Sequence, residues 1–245
     1  NRATGLDWGR VIEAAPPESP ARGARGAGLS AQAIVEAAMA VADRDGLDAV
    51  SIRRVASLLG VRPMSLYTHI ASKDELLDLM ANELLGSMLV DPPPTGGWRS
   101  ELSAIARRSH EVFVAHPWVL AAFVRRPRPG PNTASHAKQM ARAVAELELS
   151  PSDMWALLAI VDDFVLGHAL RSATRANARA IDASLTQADL AEVPELAALP
   201  EVVDTRYTDD SFEIGLQTVL DGVAGRFVPS RSSDADRAAA SSQPA

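Results

Sequence analysis

The chain has 245 residues, 47% of them hydrophobic, and no cysteine. That content buries a sizeable core and excludes disulfides, thiol catalysis and cysteine-bound zinc. The net charge of −7 argues at first against a nucleic-acid partner, but it divides unevenly. Arg22 to Lys73 holds seven basic and four acidic residues, a local +3 that leaves −10 for the rest. A basic module on an acidic body draws phosphate to one end only. The first twenty residues show no apolar run suited to a signal peptide. The longest apolar runs, 118–124 and 155–161, fall far short of the roughly 20 residues of a bilayer span. A soluble, cytoplasmic protein is the expectation.

In chain order, residues 1–28 are rich in Ala, Pro, Gly and Arg and read as a flexible arm. Its segment ARGARGAG (21–28) has the composition of a basic arm that enters a minor groove, and equally that of a solvated linker. Ser30 is an N-cap for a helix with Ile34, Ala37, Ala38 and Val41 at helical spacing, closed by Gly46. Ser51 caps the next helix. Over 52–71 the sequence IRRVASLLGVRPMSLYTHIA reads as two short helices about a glycine turn. Val55 and Leu59 face inward, Ala56 permits a close crossing, Gly60 supplies a positive φ, and Val61 and Leu66 complete the small core. Pro63 suits a first helical position. The outward residues Arg62, Ser65, Tyr67, Thr68 and His69 are donors, acceptors and an aromatic, as in a helix-turn-helix that reads the DNA major groove. The sequence SKDE (72–75) forms a capping box ahead of Leu76, Leu77, Leu79, Met80, Leu84 and Met88, which predicts a connecting helix over 72–89. The run DPPPTGG (91–97) ends it.

The remainder also reads as helical. Trp98, Leu102, Ile105, Ala106, Val112 and Phe113 form a stripe ended by His116-Pro117, and a short apolar helix covers 117–124. The loop RRPRPGP (125–131) either gates a pocket or is merely solvated. Met140, Ala141, Val144 and Leu147 mark a further helix. Ser150 caps a long one from Pro151 that carries Trp155, Leu158, Ala159, Phe164, Val165 and Leu170. Residues 177–207 read as irregular, with a short helix near Thr186–Ala191. The last helix, 209–227, has Phe212, Leu216, Val219, Leu220 and Val223 on one side, and 229–245 reads as a disordered tail. With no strand alternation and no repeat, the chain is expected to be all-α. A three-helix head with the helix-turn-helix (29–75) precedes a larger helical body (90–228). Enzyme chemistry finds no support: His110 and His116 share no helix face, His136 and His168 lie far off, and no phosphate loop or activated nucleophile appears. Neither a metal nor a cofactor is expected.

Residues 29–85, especially VSIRRVASLLGV, PMSLYTHI and SKDELLD, resemble the TetR family of one-component transcriptional regulators. The segment FEIGLQTVLDGV (212–223) is similar to that family's final, dimer-forming helix. By position, the resemblance implies that Arg53 contacts phosphate, with Ser51 capping its helix. It implies that Arg62 and Ser65 hydrogen-bond base edges, that Pro63 and Met64 make apolar contacts there, and that Tyr67, His69 and Lys73 anchor the backbone. Met64 packing inward and His69 as a structural hydrogen-bonding group remain open alternatives. The resemblance further implies a homodimer through helices 151–176 and 209–227 on palindromic double-stranded operator DNA. A small-molecule effector in the body would release it as a repressor, with an activator or a ligand-independent regulator as alternatives. The candidate effector-binding residues are His110, Phe113, Trp118, Phe123, Met140, Trp155, Asp163, Phe164 and His168, which suggest an apolar or aromatic ligand. Each of these also reads as ordinary core, and Asp163, Phe164 and His168 as dimer interface.

Overall fold

The computed structural model describes residues 29–125, 127–173 and 209–228. The expectations for the arm 1–28, the stretch 177–207 with its short helix, and the tail 229–245 lie outside the described residues. Among the described residues the structure is helical throughout, without a strand, as the sequence pattern requires. The helices are α1 (Ala31–Asp45), α2 (Ile52–Leu58), α3 (Pro63–Leu66), α4 (Lys73–Ser87), α5 (Trp98–Ala115), α6 (Val119–Val124), α7 (Pro131–Ala143), α8 (Pro151–Ala173) and α9 (Asp209–Phe227). None of them is long and apolar enough to cross a membrane.

Local chemistry sets the head. The Ser30 hydroxyl accepts from the Ala33 amide at 3.1 Å and the Ser51 hydroxyl from Arg54 at 3.3 Å, each supplying one of the four amides a helix start leaves unpaired. The α2–α3 turn depends on Gly60, whose φ of +68° is a left-handed value costly for any residue with a Cβ. Ala56 is fully buried where the helices cross, and Leu66 brings α3 into the core. Val61 lies in the turn ahead of α3, half-buried, and its amide bonds the Ala56 carbonyl at 3.0 Å. At α4 the reciprocal half of the expected capping box is displaced by one residue. Ser72 accepts from the Glu75 amide, but the Glu75 carboxylate takes the amide of Ala71 instead of that of Ser72.

Two cores result. The first joins Ile34, Ala38 and Val41 of α1, Val55, Leu66 and Ile70 of the motif, Leu76, Met80 and Leu84 of α4, and Trp118, Val119 and Ala122 at α6. The second joins α5, α7, α8 and α9 through Leu102, Ile105, Met140, Leu157, Val161, Val165, Leu216 and Leu220. Phe113 packs against both. The expected helix around Met140–Leu147 begins earlier, with Pro131 as its first residue, and a separate 3₁₀ turn covers Ala145–Leu147. Helices α8 and α9 approach closely at Gly215, where a Cβ would meet the Phe164 ring at 2.6 Å.

Arg107 of α5 holds Glu213 of α9 through two contacts, 2.9 and 2.6 Å. That hydrogen-bonded guanidinium is the main reason the Glu213 carboxyl titrates at about 2. A carboxylate held below its free value stabilises the fold fully above pH 4.5, and that contribution disappears as the pH falls through about 2. Both side chains are nearly half exposed, so screening limits the pair to about 1 kcal/mol or less. Glu213→Gln is therefore expected to lower the urea midpoint modestly at pH 7, with the gap to wild type closing between pH 4.5 and about 2.

Candidate functional site

One face of the head is built to be solvated. Met64 is 73% exposed and Tyr67 46%, values that neither side chain would show if it packed inward. Arg62, Pro63, Thr68, His69 and Lys73 are exposed beside them, and Ser65 is half-buried. The Thr68 hydroxyl turns back to the Ser65 carbonyl at 2.7 Å, so Thr68 is committed to the turn. The basic residues sort themselves. Asp45 holds both Arg44, at 2.7 Å, and Arg54, and the Arg44 hydrogen bond lowers the Asp45 pKa first among its causes. Arg53, Arg62 and Lys73 form no ion pair among the described residues. Lys73 opens α4, where unpaired amides and the helix dipole already favour an anion. Arg53, Arg62 and Lys73 are thus three exposed, unpaired cations of the head, a charge distribution suited to a polyanion.

The second site is a cavity of about 290 Å³ behind α4. Its walls are Ala81, Asn82, Leu85 and Met88 of α4, Ser109 and Phe113 of α5, Phe123 of α6, Thr133 and His136 of α7, and Asp162 and Leu166 of α8. Pro127, Arg128 and Pro129 of the basic loop complete the lining, and the Arg128 amide is held by the Asp78 carboxylate of α4 at 3.0 Å. Two lining groups stand out chemically. His136 is buried, its Nδ1 is sealed from solvent without a partner, and burial pushes its pKa down to about 4. Asp162 is exposed at the recesses it lines, and the protein packed around that position, and then neighbouring Asp163, push its pKa up to about 7.

Two of the nine effector-site candidates, Phe113 and Phe123, line this cavity, their rings edge-to-face at 6.2 Å. The other seven are elsewhere. Met140 and Trp155 flank a shallower groove of about 70 Å³ that shares His136 and Asp162 with the cavity wall. His110, Phe164 and His168 are packed between α5, α8 and α9. His110 stacks on Phe212 at 3.9 Å and shares a 2.9 Å hydrogen bond with His168, whose other nitrogen meets Ser211 at 3.1 Å. None of these rings is among the described residues lining the cavity. Asp163 is exposed one residue past the lining acid. Trp118 is buried against the head, where its indole N–H donates to the Asp43 carboxylate of α1 at 2.6 Å and His116 meets the same oxygen at 2.7 Å. The residues not foreseen, above all His136 and Asp162, were marked by a polar group inside an apolar stripe. Thr133, His136 and Met140 share one face of α7, and Leu158, Asp162 and Leu166 one face of α8.

Four features tie the cavity wall to the head. The Arg108 guanidinium donates to the Ser87 carbonyl at the end of α4 at 2.7 Å. Gln139 of α7 holds the Val90 amide and carbonyl at 3.1 and 2.7 Å. Asn82 and Asn132 pair α4 with α7 through two 3.0 Å bonds, in a space that a Cβ at Gly86 or Gly130 would fill. At the other end α4 is part of the head's own core.

An exposed helix-turn-helix on a helical body that encloses a ligand-sized cavity defines a DNA-binding transcriptional regulator. The family description "Bacterial regulatory proteins, tetR family" matches residues 34–80, and "Tetracyclin repressor-like, C-terminal domain" matches residues 91–227. The chain is 34% identical to the HTH-type transcriptional repressor DrrR1 of Streptomyces coeruleorubidus, over 83% of this chain and 80% of that one. It is 28% identical to the class A tetracycline repressor protein from transposon 1721 of Escherichia coli, over 85% and 97%. The crystal structure of the TetR family protein ActR from Streptomyces coelicolor in complex with (S)-DNPA is similar, with a TM-score of 0.65 and 26% identity over 82% of this chain and 100% of that one. The chain belongs to the TetR family of transcriptional regulators, which are not enzymes.

Asp43 is the acceptor for a buried indole N–H that links head to body. Asp43→Ala strands that donor, so unfolding in urea is expected to become easier by about 1–3 kcal/mol, with a red shift of tryptophan emission before the main transition.

Proposed function

We propose that this chain is a repressor that binds a palindromic operator as a homodimer and is released by a small molecule held in the cavity behind α4. One observation carries the reading. A single helix forms part of the head's core on one side and a cavity wall on the other. A ligand that prefers a displaced α4 changes where the head sits, and it acts only by that preference. The (S)-DNPA complex of ActR supports a bound small molecule as the mode of response. The repressor relatives favour repression over activation, and the cavity disfavours a ligand-independent regulator.

The DNA contacts follow from exposure and chemistry. Arg53 and Lys73 meet phosphate, with Ser51 as the cap that orients the first motif helix. Arg62 and Ser65 hydrogen-bond base edges, Pro63 and Met64 pack on thymine methyls, and Tyr67 and His69 steady the sugar-phosphate chain. One head reads too few bases for useful selectivity, so two are required. Helices α8 and α9 offer the surface for pairing. Ile214 is 69% exposed and Ile160 46%, and the outer line of α9 continues through Thr218, Gly222 and Gly225, which permit close helix approach.

Selection of bound duplexes from random DNA by the purified protein tests the central reading, since failure to enrich a palindrome at moderate salt removes it. On the enriched site, Arg62→Ala is expected to cost about 1–3 kcal/mol and relax selectivity at one position per half-site. Arg53→Ala is expected to weaken all sequences alike and reduce the salt slope by about 1. Ile214→Glu places a charge in the α8–α9 surface. A shift to monomer in sedimentation, together with loss of operator binding by a folded protein, is the expected result.

A further inference from the structure

The cavity's polar groups are distributed in a way that selects a ligand charge. Among the described lining residues only Arg128 is cationic, and it lies at the loop with its side chain 90% exposed, 3.9 Å from Asp78. The one acid among them is Asp162. The side-chain oxygen of Asn82 already accepts from the Asn132 amide, and that of Thr133 from Gly130. Ser109, His136 and Asp162 form no hydrogen bond among the described residues. Asp163 adds a second negative charge beside Asp162. Phe113 and Phe123 supply aromatic surface on the opposite wall.

Each ligand class meets this wall differently. A carboxylate would face Asp162 and Asp163 with no buried cation among the described residues to offset the repulsion. An alcohol offers one donor to a wall that lacks several. A protonated amine offers two or three donors, pairs with the carboxylate at the cavity wall, and lies well against aromatic faces. We infer that the cavity's ligand is a lipophilic amine, its ammonium held by the Asp162 carboxylate and the His136 imidazole, its apolar body between Phe113, Phe123, Leu85 and Leu166. This rests on the proposal that the cavity holds the effector. The titratable and charged groups around Asp162 are Asp163 on its own helix, His136 on α7 and Arg128 at the loop. His136 is neutral at physiological pH, so it accepts a proton-bearing donor without competing for the anion. An arriving cation converts the protonated fraction of Asp162 to carboxylate and sends that proton to the buffer.

The test uses the full chain and its selected operator. Arylalkyl amines of two and three fused rings are compared with the alcohols and carboxylic acids of the same skeletons, by calorimetry and by release of labelled operator. The amines are expected to bind at least about tenfold more tightly than the alcohols and to be the set that releases DNA. In buffers of different ionisation enthalpy their binding at pH 7 releases protons. Asp162→Asn, which keeps the side chain's shape, is expected to lower amine affinity about tenfold, abolish the proton release and leave alcohol affinity within about threefold. Equal binding of alcohols, or amine affinity unchanged in Asp162→Asn, overturns the amine assignment while the effector reading stands. Silence from all three sets overturns both.

Discussion

Helix α4 buries Leu76, Met80 and Leu84 in the head's core while Ala81, Asn82, Leu85 and Met88 form a wall of the cavity. Its 15 residues make a rod about 22 Å long, and the hydrogen-bonded backbone transmits a push along that length without absorbing it. Arg108 and Gln139 pin its C-terminal end to the body, and Asn132 holds it midway. The N-terminal end is continuous with the motif. A rod fixed at one end and packed into a small rigid core at the other can tilt the head, but it cannot drift away from it. On the proposed reading, that constraint is how the cavity would influence the DNA face.

The head was legible because its rules are local. Ser30, Ser51 and Ser72 cap helices from their own neighbourhoods, Gly60 takes the positive φ its turn demands, and Pro63 stands at a first helical position. The all-helical body was legible for the same reason, from stripe and break alone. The inward arrangement of that body was not. Aromatic residues are efficient fillers between helices, and Phe164, His168 and His110, read from the sequence as ligand-site candidates, stand stacked around Phe212 between α5, α8 and α9. Trp118 reads as one more apolar helix residue, yet its partner is Asp43, far away in sequence on a helix of the other lobe, and no local pattern reports such a pairing. The better signal was the reverse of hydrophobicity. A histidine and an aspartate interrupt two apolar stripes, and polar groups at such positions cost free energy unless something answers them.

Charge follows a similar division of labour. The head's net positive balance overstates what is available to a polyanion, because Arg44 and Arg54 are both occupied by Asp45. That cluster braces the end of α1 against α2 and leaves Arg53, Arg62 and Lys73 to face outward from three successive elements of the motif. The body carries the compensating acid, including Asp221 and Glu213, which bind Arg99 and Arg107 and hold α9 to α5. A negative body keeps DNA at the head, so the two lobes differ in charge as well as in core.

Phe113 connects these separations. It packs against the head-side core and the body core, and it also lines the cavity. A ligand lying on its ring therefore touches a side chain common to both cores, beside a helix that belongs to both. Each tenfold loss of operator affinity requires about 1.4 kcal/mol of differential binding to the displaced form. Among the described residues His136 and Asp162 have no hydrogen-bond partner, and both lie on the part of the cavity lining that α7 and α8 contribute. Under the proposed function, a ligand that draws on the polar wall also meets Leu85 of α4, the helix whose other side packs into the head's core.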